Sequence, residues 1–254
     1  MKILLSNDDG IDAAGIRALV DILSPEYEVY VCAPEGQRSG YSHSCTYFSR
    51  VNRAWKREIP GAKAAWAVEA TPADCVYYGI NAFMEEAPDL VISGINQGPN
   101  MADDCIYSGT VGAAGEAMVH RIPAIAVSLD SFDSHDFSTA ASFVKQVIPV
   151  FMADEDRFEF ILNINVPAGE VKGVKVTRME NGREYTKDVS VREEEGCLYL
   201  TCRAKPVGIH SSVTGDVTAV NEGYISLTPL MHDMTHHESR LRMHAYKSIK
   251  IPED

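Results

Sequence analysis

Residues 1–10 read MKILLSNDDG, and this stretch decides the fold class. Ile3, Leu4 and Leu5 form the continuous apolar run of a strand buried on both faces. The chain then turns polar through Ser6, Asn7, Asp8 and Asp9, and Gly10 frees the backbone to turn. In an open α/β sheet, ligands bind where parallel strands end and loops begin. Two ionised carboxylates forced together repel, and they are stable only with a proton or a cation between them. A hard divalent ion with oxygen ligands meets that need. The plainer alternative is that Asp8, Asp9 and Asp12 cap the following helix and fill a turn.

Strand and helix signals alternate onward from this stretch. Residues 14–24 predict a helix with Ile16, Leu19, Val20 and Leu23 on one face. EVYVCA (28–33) and AAWAVEA (64–70) predict strands, and Pro72 suits the first turn of a helix running through DCVYYGINAFM. PDLVIS (88–93), residues 125–129 and ILNINVP (161–167) predict strands; residues 109–119 and 138–150 predict helices. Strand–helix–strand order implies right-handed crossovers and a mostly parallel, doubly wound α/β sheet. Beyond it the pattern changes to antiparallel hairpins over 173–203 (VKVTR, DVSVREEEG, CLYLTCRA), a strand GYISLTPL (223–230) and a charged terminal helix (235–246). The expected division is an α/β core over 1–170 and a C-terminal part over 171–254. That part holds a hairpin arm, a sheet-completing strand and a helix used in oligomerisation, since an uncovered strand edge invites pairing.

Composition narrows the classes of function. The 254 residues are 45% apolar and 23% charged, with a formal net charge of −13, the profile of an ordinary globular protein. Clustered Lys and Arg are absent, which argues against a nucleic-acid polymer as partner. The N-terminus carries only three consecutive apolar residues, and no later segment approaches 18; neither a signal peptide nor a membrane span is expected. Cys32, Cys45, Cys75, Cys105, Cys197 and Cys202 are scattered without a CxxC pair, which reads as reduced thiols in a cytoplasmic protein.

Three polar, glycine-bearing loops fall at one sheet edge: Asn7–Gly10, Ala33–Thr46 with the guanidinium of Arg38, and Ser93–Thr110. Asn96 and Asn100, separated by Gly98 and Pro99, offer amide oxygens to a metal and N–H donors to phosphate. Ser108, Gly109 and Thr110 open a helix whose free N–H groups suit a phosphate, although Ser108 alone is also an ordinary N-cap. A dinucleotide fingerprint, a Walker loop and a DxD pair are absent. His232, His236, His237 and His135 show no ligand spacing and read as surface residues. Tyr77, Tyr78 and Phe83 read as core packing.

NDDG (7–10), RSG (38–40), TPADCV (71–76), SGINQGPN (93–100), YSGTVGAA (107–114) and GYISLTPL (223–230), in this order, resemble the SurE survival-protein family. The resemblance runs nearly the length of the chain. Ala70 departs from it, standing where the family has glycine, as does the less basic stretch before RSG. The resemblance implies a Rossmann-like core, exchange of C-terminal segments in a homodimer or homotetramer, and a metal-dependent 5′/3′-nucleotidase. It implies one divalent cation per subunit held by Asp8, Asp9, Ser39 and Asn96, with Asn100, Ser108, Gly109 and Thr110 on the phosphate side. An all-oxygen set of this kind suits Mg²⁺ or Mn²⁺ and metal-assisted attack of water on a nucleoside monophosphate, with Asp9 as a candidate base. The competing readings are a phosphatase acting on short polyphosphate or sugar phosphates, and a nucleotide- or metal-sensing oligomer without turnover.

Overall fold

The computed structural model describes residues 1–203, 205–209 and 214–248. Its core alternates strand and helix. The elements are β1 (Lys2–Ser6), α1 (Ala14–Leu23), β2 (Glu28–Pro34), β3 (Ala54–Arg57), β4 (Ala64–Val68), α2 (Pro72–Tyr78), β5 (Leu90–Gln97), α3 (Asp104–Tyr107), α4 (Gly109–Val119), β6 (Ala124–Asp130), α5 (Ser138–Ala153) and β7 (Ile161–Pro167). The C-terminal part adds β8 (Gly173–Val176), β9 (Arg183–Tyr185), β10 (Val189–Glu194), β11 (Cys197–Cys202), β12 (Pro206–Ile209), α6 (Asp216–Asn221), β13 (Tyr224–Leu230) and α7 (His237–Arg242).

Nine strands form one sheet in the order β3-β4-β2-β1-β5-β6-β7-β13-β8. From β4 to β7 every neighbouring pair is parallel, as the alternation predicts. Side chains of a strand point alternately to its two faces, and β1 shows the consequence. Ile3 and Leu5 pack among residues of α1 and α5, whereas Leu4 packs with Cys32, Val76 and Ala113 on the α2–α4 side. All three are fully buried, each contributing roughly 1.5–3 kcal/mol of apolar burial.

The chain winds from β1 outward to β2 and β4, then crosses to β5 on the other side of β1. That reversal opens a crevice between the carboxyl ends of β1 and β5. Asp8 and Asp9 leave one strand there, and Asn96 lies near the end of the other.

Several expectations are revised. The helix begun at Pro72 is α for seven residues and then widens to a π turn over Gly79–Phe83, closed by Met84 N–H donating to Gly79 O. At Gly79 the helix is pressed on Leu4, whose Cδ2 would lie 2.7 Å from any Cβ there. VKVTR is not a hairpin strand. As β8 it pairs parallel to β13, which is antiparallel to β7, so both complete the core sheet from beyond residue 170. The expected hairpin is β10–β11, turning at Glu195–Gly196. The terminal helix is α only over His237–Arg242 and continues as a 3₁₀ turn to Ser248. β3, β9, β12 and α6 had no counterpart in the sequence reading.

Candidate active site

Asp8 follows β1 and is 4% exposed, with Asp9 beside it. Asn7 fixes the turn: its Nδ2 donates to Gly10 O and its Oδ1 accepts from Gly10 N–H. Gly10 sits at φ +103°, and a Cβ there would press on Gly36 at 3.1 Å. Neither carboxylate caps the next helix, because the N-cap of α1 is Ala13, with no side-chain cap, and Asp12 pairs with Arg17. The capping alternative therefore fails. Instead Asp8 Oδ1 accepts from Thr110 Oγ1 at 2.6 Å, and an Asp9 oxygen accepts from Gln97 N–H at 3.0 Å. The two acids thus face two different walls of the crevice.

Burial removes water from Asp8, and the Asp9 charge adds repulsion. Together they outweigh the Thr110 hydrogen bonds and push the Asp8 carboxyl up to about 6. Burial also raises Asp9, opposed by the Gln97 N–H. No Lys or Arg is paired with either acid among the ion pairs of the described residues.

Ser108 caps α4, its Oγ accepting from Val111 N–H. Gly109 carries Asp8 close against that helix end, since a Cβ there would lie 2.9 Å from Asp8 Cβ and 3.0 Å from its Oδ2. Asn96 lies within β5 at a register shift, not in a loop, and its Nδ2 donates to Gly98 O. Its amide nitrogen is thereby committed. Asn100 is held from three sides: its N–H donates to Asn165 Oδ1, its carbonyl accepts from Asn163 and Asn165, and its Nδ2 donates to Ser128 Oγ. Its side-chain donor is therefore engaged with the sheet, which orients the loop rather than leaving the amide free.

The strap after β2 closes the third side. Arg38 N–H donates to Asp8 O at 2.6 Å, and its guanidinium pairs with Glu35. Ser39 is exposed, its hydroxyl accepting from Gln37 Nε2. Proximity to Asp8 thus reaches Ser39 through its neighbour's backbone.

A pocket of about 350 Å³ adjoins Asp9, bordered by Gln37, Gln97, His135 and Phe137 with the first turn of α1. His135 is solvent-exposed, as expected, but it stands on the rim of the site. Gln97, which sequence reasoning passed over, ties this rim to Asp9 by donating its side-chain amide to Phe132 O. Buried Asn163, Asn165 and Ser128 were also missed. Their signal was present as polar residues inside otherwise apolar strands, where each must find a hydrogen-bond partner.

Among the described residues no group of three or more His, Cys, Asp or Glu side chains could hold a metal ion. The residues brought together here are two carboxylates with neutral amide and hydroxyl oxygens. One buried and one half-buried acid, neither paired with a Lys or Arg among the described residues, together with neutral oxygen donors match the needs of a hard cation, so the donor set fits one. No helix among the described residues is long and apolar enough to cross a membrane.

Comparisons with known proteins point to one family. The family model "Survival protein SurE" matches residues 3–186. A protein of Pelotomaculum thermopropionicum named 5′-nucleotidase SurE is 43% identical over 96% of this chain and 94% of its own. One of Erwinia tasmaniensis named 5′/3′-nucleotidase SurE is 40% identical over 94% of each. The crystal structure of the SurE protein from Aquifex aeolicus superposes with a TM-score of 0.82 at 33% identity, covering 97% of this chain and 100% of that one.

Proposed function

The chain belongs to the SurE survival-protein family, and on that premise we propose that it is a metal-dependent phosphomonoesterase hydrolysing nucleoside 5′- and 3′-monophosphates. One observation carries the reading: buried Asp8, with half-buried Asp9 beside it and no Lys or Arg paired with either among the described residues, accepts from Thr110 at the Ser108-capped end of α4, at the switch point of the sheet.

In this reading Asp8, Asp9, Ser39 and Asn96 hold one Mg²⁺ or Mn²⁺, which when bound supplies positive charge that polarises a phosphoryl oxygen. Ser108, Gly109 and Thr110 receive the phosphoryl group at the N-terminus of α4, where the helix dipole favours negative charge. The Asn163–Asn165–Asn100 network holds the loop in front of that helix in place. Asp9, with one oxygen on the Gln97 N–H, orients the attacking water and takes its proton. The nucleoside extends away from the α4 end, and departs once its ester oxygen is protonated from solvent.

The C-terminal part serves assembly. Both strands of the β10–β11 hairpin are exposed along their whole length, with Val189, Val191, Leu198 and Leu200 in the open. An apolar hairpin of that kind is stabilised by a second copy in a homodimer or homotetramer. We place the protein in the cytoplasm, where its six free thiols stay reduced.

The test is phosphate release from a panel of 5′- and 3′-nucleoside monophosphates, short polyphosphates and sugar phosphates. The reading expects the highest kcat/KM on nucleotides. A uniformly higher kcat/KM on polyphosphate or sugar phosphates overturns the substrate class, and nucleotide binding without release overturns the enzyme.

A further inference from the structure

Helix α4 carries glycine at every third position, Gly109, Gly112 and Gly115, and each admits a neighbour that a methyl group would exclude. Gly109 admits Asp8. A Cβ on Gly112 would collide with the backbone of Ser42, and one on Gly115 would lie 3.2 Å from His43 Nδ1 and 2.7 Å from His232 Nε2. The strap that bears Ser39 therefore lies directly on the helix that bears Ser108 and Thr110.

Glu116 follows the stripe, 4% exposed in a helix otherwise built of small and apolar residues. An acid is costly to bury unless it is hydrogen-bonded, and its partners are specific. Glu116 Oε2 lies 2.8 Å from His43 Nε2, and Oε1 lies 3.3 Å from His120 Nε2, one turn along α4. A carboxylate only accepts, so His43 donates from Nε2. His232, from the segment after β13, packs against His43 with ring centroids 5.6 Å apart.

We propose that Glu116 and His43 are positioning residues that hold the strap so that Ser39 is presented to the cation. The proposal rests on the metal reading above and names the groups that give Ser39 its place. Ser39 spans two anchors. On one side Arg38 N–H donates to Asp8 O; on the other Ser42 donates from N–H to Tyr107 O and from Oγ to Ile106 O. Ser42 sits at φ +54°, a conformation that a non-glycine residue keeps only where its surroundings impose it. The His43–Glu116 bond, adjacent in the chain, supplies part of that imposition. Without it the Ser39 hydroxyl must be ordered at the moment of binding, and affinity falls. His120, bound to the same carboxylate but carried on α4 itself, makes no hydrogen bond to the strap among the described residues; its ring packs on Tyr77 instead.

The experiment titrates Mn²⁺ into the metal-stripped full-length protein, read by electron paramagnetic resonance, with amide exchange followed over residues 38–44. His43→Ala weakens Mn²⁺ binding about tenfold or more, the scale seen for partners that orient ligands, and exchange over 38–44 speeds up. His43→Gln, which keeps an N–H donor of similar reach, recovers most of the affinity. His120→Ala stays within about twofold of wild type. Wild-type affinity and exchange in His43→Ala overturn the proposal, as does an equal loss in His120→Ala, which would make Glu116 a residue of α4 alone. Asp8→Asn in the same titration separates the two levels. If it binds Mn²⁺ as well as wild type, the metal reading and this proposal fall together; if it loses binding while His43→Ala does not, only the proposal falls.

Discussion

Asp8→Asn is expected to stabilise the metal-free protein while destroying its activity. Burial and the neighbouring Asp9 lift the Asp8 carboxyl from an ordinary value of 3.8 to about 6. A carboxyl that holds its proton more tightly when folded stabilises the fold at low pH and gives that contribution up as pH rises from the unfolded value through the folded one. Roughly two pKa units correspond to about 3 kcal/mol of destabilisation above pH 7. Asparagine is nearly the same shape, keeps an oxygen for the Thr110 hydroxyl and carries no charge. In EDTA at pH 8 the variant should therefore gain up to about 3 kcal/mol, and at about 2–4 °C per kcal/mol for a chain of this size the melting temperature rises by several degrees. At pH 4 the gap shrinks to about half a kcal/mol by the same linkage. Thermal melts of both proteins at the two pH values read the difference directly. A variant less stable than wild type at pH 8, or a gap that is the same at both pH values, refutes the claim that Asp8 is an uncompensated buried charge.

Other perturbations follow from single contacts. Gly109→Ala puts a methyl group 2.9 Å from Asp8 Cβ; kcat/KM should fall at least about tenfold, a barrier increase of about 1.4 kcal/mol, and unchanged kinetics would show that the α4 end is not part of the site. Asp74→Ala removes both the α2 capping box and the carboxylate that accepts from Thr46 N–H and Oγ1. The loss of a cap plus buried partners should cost about 2–4 kcal/mol in urea unfolding. Asn165→Ala strips the acceptor from Asn100 N–H and a donor from its carbonyl; nucleotide turnover should drop together with stability, whereas replacing Gln146, on the exposed side of α5, by Ala should change neither.

The parts of the fold that were legible in sequence are those where one physical signal dominates. β1 and β6 are apolar runs buried on both faces, and α1 repeats its apolar residues at helical spacing, so each stands where it was expected, whereas β5 runs on to Gln97, past its expected end at Ser93. β3 was invisible because Ala54–Arg57 is an exposed edge strand; its Trp55-Lys56-Arg57 pairs with β4 but buries no face. β9, β12 and α6 are three to six residues long, too short to show a period. β8 was assigned to the arm because its alternation is that of any half-buried strand, and only tertiary pairing with β13 places it at the sheet edge.

The candidate site divides in the same way. Asp8, Asp9, Ser108 and Thr110 were marked by their position after strands or at a helix start, and the structure brings Asp8 onto Thr110. Their supports come from residues far away in the chain. Asn163 and Asn165 reach Asn100 across more than sixty positions, and Glu116 reaches His43 across seventy-three. Local pattern carries no trace of such pairings, although a buried acid in a helix of Gly, Ala and Val is a signal that some partner must exist.

The central claim is tested most directly by phosphate release from a 5′-nucleoside monophosphate using protein stripped with EDTA, then resupplied with Mg²⁺ or Mn²⁺, beside Asp9→Asn treated identically. The account predicts no release from the stripped protein, full recovery on adding the cation, and no recovery in the folded Asp9→Asn variant. Release that persists in EDTA, or a variant that recovers as wild type does, would contradict it.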